Sequence, residues 1–249
     1  MALLVAGLLS LGLATPASAD TRSSDIGTSQ QGAPITMFEL GAGPKKVLIL
    51  GGQHGAPEAN TVELVNGLLE YFDGNPSEVP SDIELDLIPV ANPDGLAMGS
   101  RQFADGVDPN RNWGGSDWRA DAFDSNAVFR VGLGGTEPFS EVETQALANW
   151  ILANQPAFVA NYHSAGGFMF GTRNGLSSAY ADASGYNWPQ PGVNGQRSPL
   201  PYQASGSMNV WLRESGIPSI LVELTTQRST EIERNLAGIK AVLGVLSGS

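Results

Sequence analysis

Val47-Leu48-Ile49-Leu50-Gly51-Gly52-Gln53-His54-Gly55-Ala56-Pro57-Glu58 passes from an apolar run through a glycine turn to a histidine and then an acid. Lys46 to Leu50 reads as a short strand, and Pro57 suits the first turn of a helix. From Asn60 to Phe72, residues Val62, Leu64, Val65, Leu68, Leu69 and Phe72 fall on one helical face. The same strand-then-helix alternation continues along the chain. Strands are predicted at Pro34 to Leu40, Ile83 to Val90, Ala157 to Tyr162 and Ser219 to Leu224. Helices are predicted from Ser140 to about Ala153, at Ser207 to Ser215 and from Thr230 to Leu246. Ser140-Glu141-Val142-Glu143 has the capping-box pattern. Such alternation implies an α/β fold: a single domain whose mixed, mainly parallel, twisted sheet carries helices on both faces. A chain of 249 residues, 41% of them hydrophobic, is long enough to bury one sizeable core.

Two stretches break the alternation. Residues 92–135 are rich in Gly, Asp, Asn and Arg, and 164–205 are irregular. Both follow predicted strands, and ligands of open α/β sheets bind outside the carboxyl ends of strands. The chain has only two histidines, and each closes an apolar run: His54 after Val47 to Leu50, and His163 after Ala157-Phe158-Val159-Ala160-Asn161-Tyr162. A lone histidine is ordinarily a satisfied surface or core residue. Two of them, each just past a strand and one with a nearby Glu, favour a metal, because two His, one Glu and an open fourth position form a recurrent catalytic zinc set.

Composition narrows the partners. The formal charge of -12 and pI of about 4.4 argue against nucleic acid and anionic membranes. With no cysteine there are no disulfides, thiolate ligands or Cys nucleophile. Residues 1–19 read as a signal peptide: an apolar stretch Ala2 to Ala14, then Ala17-Ser18-Ala19 as a cleavage site before Asp20. Secretion or a periplasmic location is expected. Residues 20–32, polar and Gly/Ser-rich, read as a linker, and 33–249 as the catalytic domain.

Several local patterns, in order, resemble the zinc carboxypeptidase family of metallopeptidases, in particular its compact bacterial members. Ile26-Gly27-Thr28-Ser29 through Gly32-Ala33-Pro34-Ile35 is similar to the start of bacterial catalytic domains, and Gly51-Gly52-Gln53-His54-Gly55 to the first ligand motif. Asn92-Pro93-Asp94-Gly95, Arg101 and Gly106-Val107-Asp108-Pro109-Asn110-Arg111-Asn112-Trp113 resemble the substrate-binding block. His163-Ser164, Tyr202-Gln203-Ala204-Ser205-Gly206 and Val222-Glu223-Leu224 complete the series. The resemblance implies one zinc ion per chain on His54, Glu58 and His163, with Glu223 as general base. It further implies Arg101 at the developing oxyanion, Asn110 and Arg111 on the substrate carboxylate, Tyr202 on the bound substrate, and Asp108 orienting His54. Zinc polarises a carbonyl and acidifies water, and a buried carboxylate can carry the proton to the leaving nitrogen. Two departures stand out. The family spacing His-x-x-Glu is here His54-x-x-x-Glu58, and Glu223 is followed by Leu224-Thr225-Thr226, without the arginine common in animal digestive members.

The expected function is zinc-dependent removal of a C-terminal residue from a peptide by a monomer. The alternative within the family is a γ-D-glutamyl amidase acting on muropeptides. An alternative of another class is a non-catalytic peptide-binding module, which would have no need of Glu223. Met208 is either a pocket residue that would favour apolar side chains or a core methionine.

Overall fold

The computed structural model describes residues 21–189 and 199–248; the expected signal peptide lies outside them. In chain order the elements are β1 (Arg22–Thr28), β2 (Pro34–Gly41), β3 (Lys45–Leu50), α1 (Ala59–Gly74), β4 (Ile83–Ile88) and α2 (Pro93–Met98). They continue with β5 (Ala122–Phe123), β6 (Phe129–Arg130), α3 (Val142–Asn154), β7 (Phe158–Ser164), β8 (Phe168–Gly171), α4 (Gly175–Ser184), α5 (Met208–Glu214), β9 (Ser219–Leu224) and α6 (Ile232–Ser247). No helix among them is long and apolar enough to cross a membrane.

A seven-stranded sheet takes the order β1-β2-β4-β3-β7-β9-β8. Its four central strands, β4, β3, β7 and β9, are parallel, and β2, β1 and β8 pair antiparallel at the flanks. The mixed, mainly parallel α/β architecture expected from the alternation is the one observed. Alternate residues of β3 feed two cores, as the period of two requires. Val47 and Ile49 pack with Leu64, Leu68 and Phe72 of α1 and with Ile239 and Val242 of α6. Leu48 and Leu50 pack with Leu147 and Ile151 of α3 and with Trp211 and Leu212 of α5. Each such side chain contributes roughly 1.5–3 kcal/mol on full burial.

The connections place the site. After β3 the chain crosses through α1 to β4 on one side; after β4 it returns through α3 to β7 on the other. The strand order therefore reverses between β3 and β7, and the crevice outside their carboxyl ends is the binding position of open α/β sheets.

Three local expectations are corrected. Residues 20–32 are not only a linker: Arg22–Thr28 form edge strand β1, paired with β2. Its polar residues are mostly exposed, so no apolar alternation marked it. Gly27 lets the strand lie against α3, since a Cβ there would come 2.6 Å from the Ala146 Cβ. The capping box does not form. The N-cap of α3 is Glu141 without a side-chain cap, because Glu143 Oε1 accepts instead from the Gln30 backbone N–H at 2.9 Å. Within the expected irregular stretch 164–205 lie β8 and α4. The buried residues of α4 are Ser177, Tyr180 and Ser184, two of them small and polar, so apolar periodicity was absent.

On the sheet face toward α3, Asp86 is fully buried beside Lys46, with Nζ to Oδ2 at 3.9 Å, and near Glu84 and Glu39. Neither Asp86 oxygen finds a hydrogen-bond partner among the described residues. Burial, opposed by Lys46 and reinforced by the two glutamates, pushes its carboxyl up to about 7. A carboxyl with a raised folded pKa contributes stability that is complete below its unfolded value near 3.8 and is lost as pH rises through about 7. Asp86→Asn should thus gain on the wild type as pH rises from 5 to 8, at up to about 1.4 kcal/mol per unit within that window. Thermal melts across that range check it; a difference that shrinks with pH would contradict the assignment.

Candidate metal centre

Gly51 to Glu58 turn sharply after β3. Gly55 adopts a positive φ of 52° and lies so close to Ser100 and Gly95 that a Cβ would meet backbone atoms at 2.4 and 2.5 Å. Ala56 to Glu58 then form one tight 3-10 turn leading into α1. That turn absorbs the extra residue of His54-x-x-x-Glu58 and returns Glu58 toward His54. His163 arrives on β7, in register with Glu223 of β9.

Three buried side chains converge there. His54 Nδ1 lies 2.8 Å from Glu58 Oε1, His163 Nδ1 lies 3.1 Å from Glu58 Oε2, and the two Nδ1 atoms are 3.0 Å apart. Glu58 Oε2 also accepts from the Ser164 backbone N–H at 3.1 Å. Two ligands of one zinc at about 2.0–2.1 Å and a tetrahedral angle stand roughly 3.3 Å apart. The observed spacings are close to that value, and two imidazole nitrogens with a carboxylate suit the ion chemically, so the residues present fit zinc.

Electrostatics agree that a cation belongs here. Burial opposes the charge on Glu58, yet the two histidines hold its carboxyl well below the usual range. Burial likewise opposes Asp108, but Arg101 and His54 keep it well below that range. Burial holds His163 below its ordinary value. For His54, burial and Arg101 push down while Glu58 and Asp108 push up, and the upward pull wins. Arg101 serves as counter-cation: Nη1 donates to Glu58 at 2.7 Å and Nε to Asp108 at 3.1 Å. Its Nη2 stands 2.9 Å from His54 Nε2, which is also 3.2 Å from Asp108 Oδ1. Either tautomer of His54 finds partners, but only the one donating from Nε2 to Asp108 leaves the Nδ1 lone pair for a metal.

A cavity of about 440 Å³ opens over the centre, lined by His54, Arg101, Asn110, Arg111, Tyr202 and Glu223 among others. The structure thus brings together every residue expected in the site, with Glu58 and His163 buried just behind its wall. Burial first, then the Glu58 charge, push Glu223 up to about 7. Asn110 Oδ1 accepts from the Met208 backbone N–H at 2.9 Å. Arg111 is almost wholly buried; it donates to Phe123 O at 3.0 Å, Asn110 O at 2.8 Å and the Tyr202 hydroxyl at 3.1 Å. Fully buried Trp113 anchors this loop, its Nε1 donating to Pro109 O at 2.9 Å while its ring packs 5.0 Å from Trp211. Met208 is the core methionine of the two alternatives, fully buried among Trp113, Trp211 and Leu212. In its place Ser207, Asn209, Val210 and Arg213 line the cavity.

Sequence reasoning missed the braces. Gln53 accepts from Asn161 Nδ2 at 2.9 Å and donates to Pro109 O at 3.2 Å, tying the ligand loop, β7 and the Asn110 loop together. Asn60 accepts from Ser164 Oγ at 2.8 Å and donates to Thr226 O at 2.8 Å and Ser229 O at 2.9 Å. No local pattern marks such residues, because each joins segments far apart in sequence.

The family model described as zinc carboxypeptidase matches residues 12–235. Murein peptide amidase A of Escherichia coli K12 is 34% identical over 148 residues, covering 55% of this chain and 57% of that protein. The match therefore spans little more than half the length of that relative. The Vibrio campbellii protein of the same name is 29% identical over 229 residues, 88% of this chain and 86% of that one. The crystal structure of murein-tripeptide amidase MpaA from Escherichia coli O157 superposes with a TM-score of 0.67 at 26% identity, covering 90% and 91% of the two chains.

Elemental analysis of purified protein should find one zinc per chain, and saturating zinc should raise the melting temperature. At a hundredfold excess over Kd the gain is about 2.7 kcal/mol. The His54→Ala, His163→Ala double variant should lose both effects; full zinc retention by it would refute this ligand set.

Proposed function

The chain belongs to the zinc carboxypeptidase family, and on that premise we propose that it hydrolyses the amide bond joining a carboxylate-ended residue to a peptide. The observation that carries this reading is a single cavity in which Glu223, Arg101 and the Asn110–Arg111–Tyr202 group surround the face of the His54–Glu58–His163 triad. Those three residues would hold zinc, which supplies Lewis acidity toward the scissile carbonyl and toward water. Glu223 takes a proton from the attacking water and returns it to the leaving nitrogen. A carboxyl near 7 suits a group that must both accept and release a proton, and a nearby dication would draw its pKa downward. Arg101 stabilises negative charge on the carbonyl oxygen once its side chain leaves Glu58. Arg111 and Asn110 hold the terminal carboxylate, which would replace the Tyr202 hydroxyl on Arg111 Nη2.

Muropeptides are a second reading of the substrate, supported by the names of the murein peptide amidases that match the chain. Export is part of the proposal, resting on the apolar stretch Ala2 to Ala14 and the Ala-x-Ala site before Asp20.

Glu223→Gln should keep zinc and substrate binding while kcat falls by roughly 10²–10⁴-fold; near-normal kcat would move the base elsewhere. Blocking the substrate's C-terminus as an amide should lower kcat/KM by about one to two orders of magnitude, and Arg111→Ala should abolish the difference. Equal cleavage of free and amidated peptides by the wild type would defeat the exopeptidase reading. Cleavage of muropeptides alone would select the amidase, and binding without cleavage the non-catalytic module.

A further inference from the structure

The sheet face that packs on α3 changes character toward the amino ends of β3 and β4, away from the crevice. Apolar side chains give way there to charged ones. Glu39 of β2 is the register partner of both Asp86 of β4 and Arg22 of β1, and Lys46 of β3 is the partner of Glu84 of β4. Glu84 and Asp86, two residues apart on one strand, share that face. Like charges in direct opposition, as Glu39 and Asp86 are, weaken a strand pair. One oxygen from each of the three carboxylates lies within 4.8 Å of the other two. Both cations attend to Glu84: Lys46 Nζ donates to Oε1, and Arg22 Nη2 to Oε2 at 2.9 Å. Asp86 is left over. It is fully buried, its oxygens accept no hydrogen bond from any described residue, and Lys46 Nζ, at 3.9 Å, is beyond hydrogen-bond reach. A buried carboxylate aimed at two others, with no donor of its own, is costly unless a cation or a proton joins it.

We propose that Glu39, Glu84 and Asp86 form a second cation site, separate from the His54–Glu58–His163 centre, and that its occupant is calcium. Three carboxylates with no nitrogen or sulfur select a hard divalent ion. Two oxygens bound to one calcium at about 2.3–2.6 Å stand no more than about 5 Å apart, as these do. Calcium suits the position better than magnesium, because it tolerates irregular geometry and takes roughly six to eight oxygens. Three carboxylates supply most of them, and water can reach the half-buried Glu39 side for the rest. Charge points the same way. Lys46 and Arg22 leave the three carboxylates one negative charge over, and a dication in place of the Lys46 ammonium, with Arg22 kept, leaves none. The Lys46 side chain is 25% exposed, so it can withdraw into solvent. In the calcium-free protein a proton takes the ion's part, since burial pushes the Asp86 carboxyl up to about 7. Bound calcium fastens β2, and with it edge strand β1, to the parallel centre of the sheet. The site does not depend on which bond the enzyme cleaves.

The test adds calcium to the full zinc-loaded chain, dialysed free of other divalent ions, at about pH 7.5. Equilibrium dialysis with radioactive calcium should find one ion per chain, with a Kd on the order of 10⁻⁴–10⁻³ M, the range of extracellular modules. At about 10 mM calcium chloride the melting temperature should rise by about 3–10 °C, and potassium chloride of equal ionic strength should not reproduce the rise. Asp86→Asn and Glu39→Gln keep the side-chain shape, and each should lose both the bound calcium and the rise. Lys46→Gln removes the resident ammonium and should bind calcium more tightly, an effect that a network of ion pairs alone does not produce. The His54→Ala, His163→Ala variant should keep the full calcium response, which separates this site from the zinc centre. An unmoved wild-type melting temperature, a rise that potassium chloride matches, or a calcium response that survives in Asp86→Asn would each overturn the proposal. The cluster would then be a network of proton, ammonium and guanidinium only.

Discussion

Two carboxylates, Glu58 and Asp108, are held without appreciable solvent beneath a cavity, and the architecture around them answers that one constraint. An isolated buried carboxylate neutralises itself by taking a proton unless cations and donors face it. Here His54, His163, Arg101 and the backbone N–H groups of Ser164 and Asn110 face the pair. The acids therefore stay ionised, and the two Nδ1 atoms are pressed together at 3.0 Å, a distance that needs either a shared proton or a shared metal ion. Arg101 holds the charge balance in this structure. A doubly charged ion on the triad would relieve it of that task and free it for the substrate. The same arginine thus links metal loading to the readiness of the cavity.

The sheet supplies the rigidity that this arrangement requires. His54 and His163 leave adjacent parallel strands at the point where strand order reverses, and Glu223 sits on the next strand over. Strand spacing, fixed by backbone hydrogen bonds, sets the separation of these groups more firmly than any loop could. Loops do the rest, and they are braced individually: the Asn110–Trp113 segment by Trp113 and Gln53, and the turn after β9 by Asn60. Substrate-binding groups such as Asn110 and Arg111 consequently rest on irregular segments held by buried polar contacts.

Legibility in the sequence followed burial. Strand β9, buried throughout except at half-buried Glu223, was predicted at its observed limits, and the helical face of α1 was plain because its apolar residues recur at helical spacing. Strand β1 and helix α4 escaped because one is exposed and the other packs small polar residues. The capping box at Ser140 failed because a tertiary contact from Gln30 claimed Glu143, a competition that no local pattern encodes. The site itself was legible where identity is tied to chemistry, as with two histidines in a chain that has no others. Gln53 and Asn60 were not, since amides carry no signature until the segments they join are seen together.

The displaced Glu58 shows how tolerant such a centre is. One added residue between ligands would rotate a side chain by about 100° if the insertion lay within a regular helix of 3.6 residues per turn. Here it lies before α1, in a turn whose Gly55 accepts a positive φ and whose Ala56 to Glu58 wind more tightly than an α-helix. The rotation is taken up by that tight turn, and Glu58 enters the triad while α1 keeps its apolar face on the core. What the centre constrains is the position of three donor atoms. The number of residues between them is free to change wherever a turn, and not a packed element, connects them.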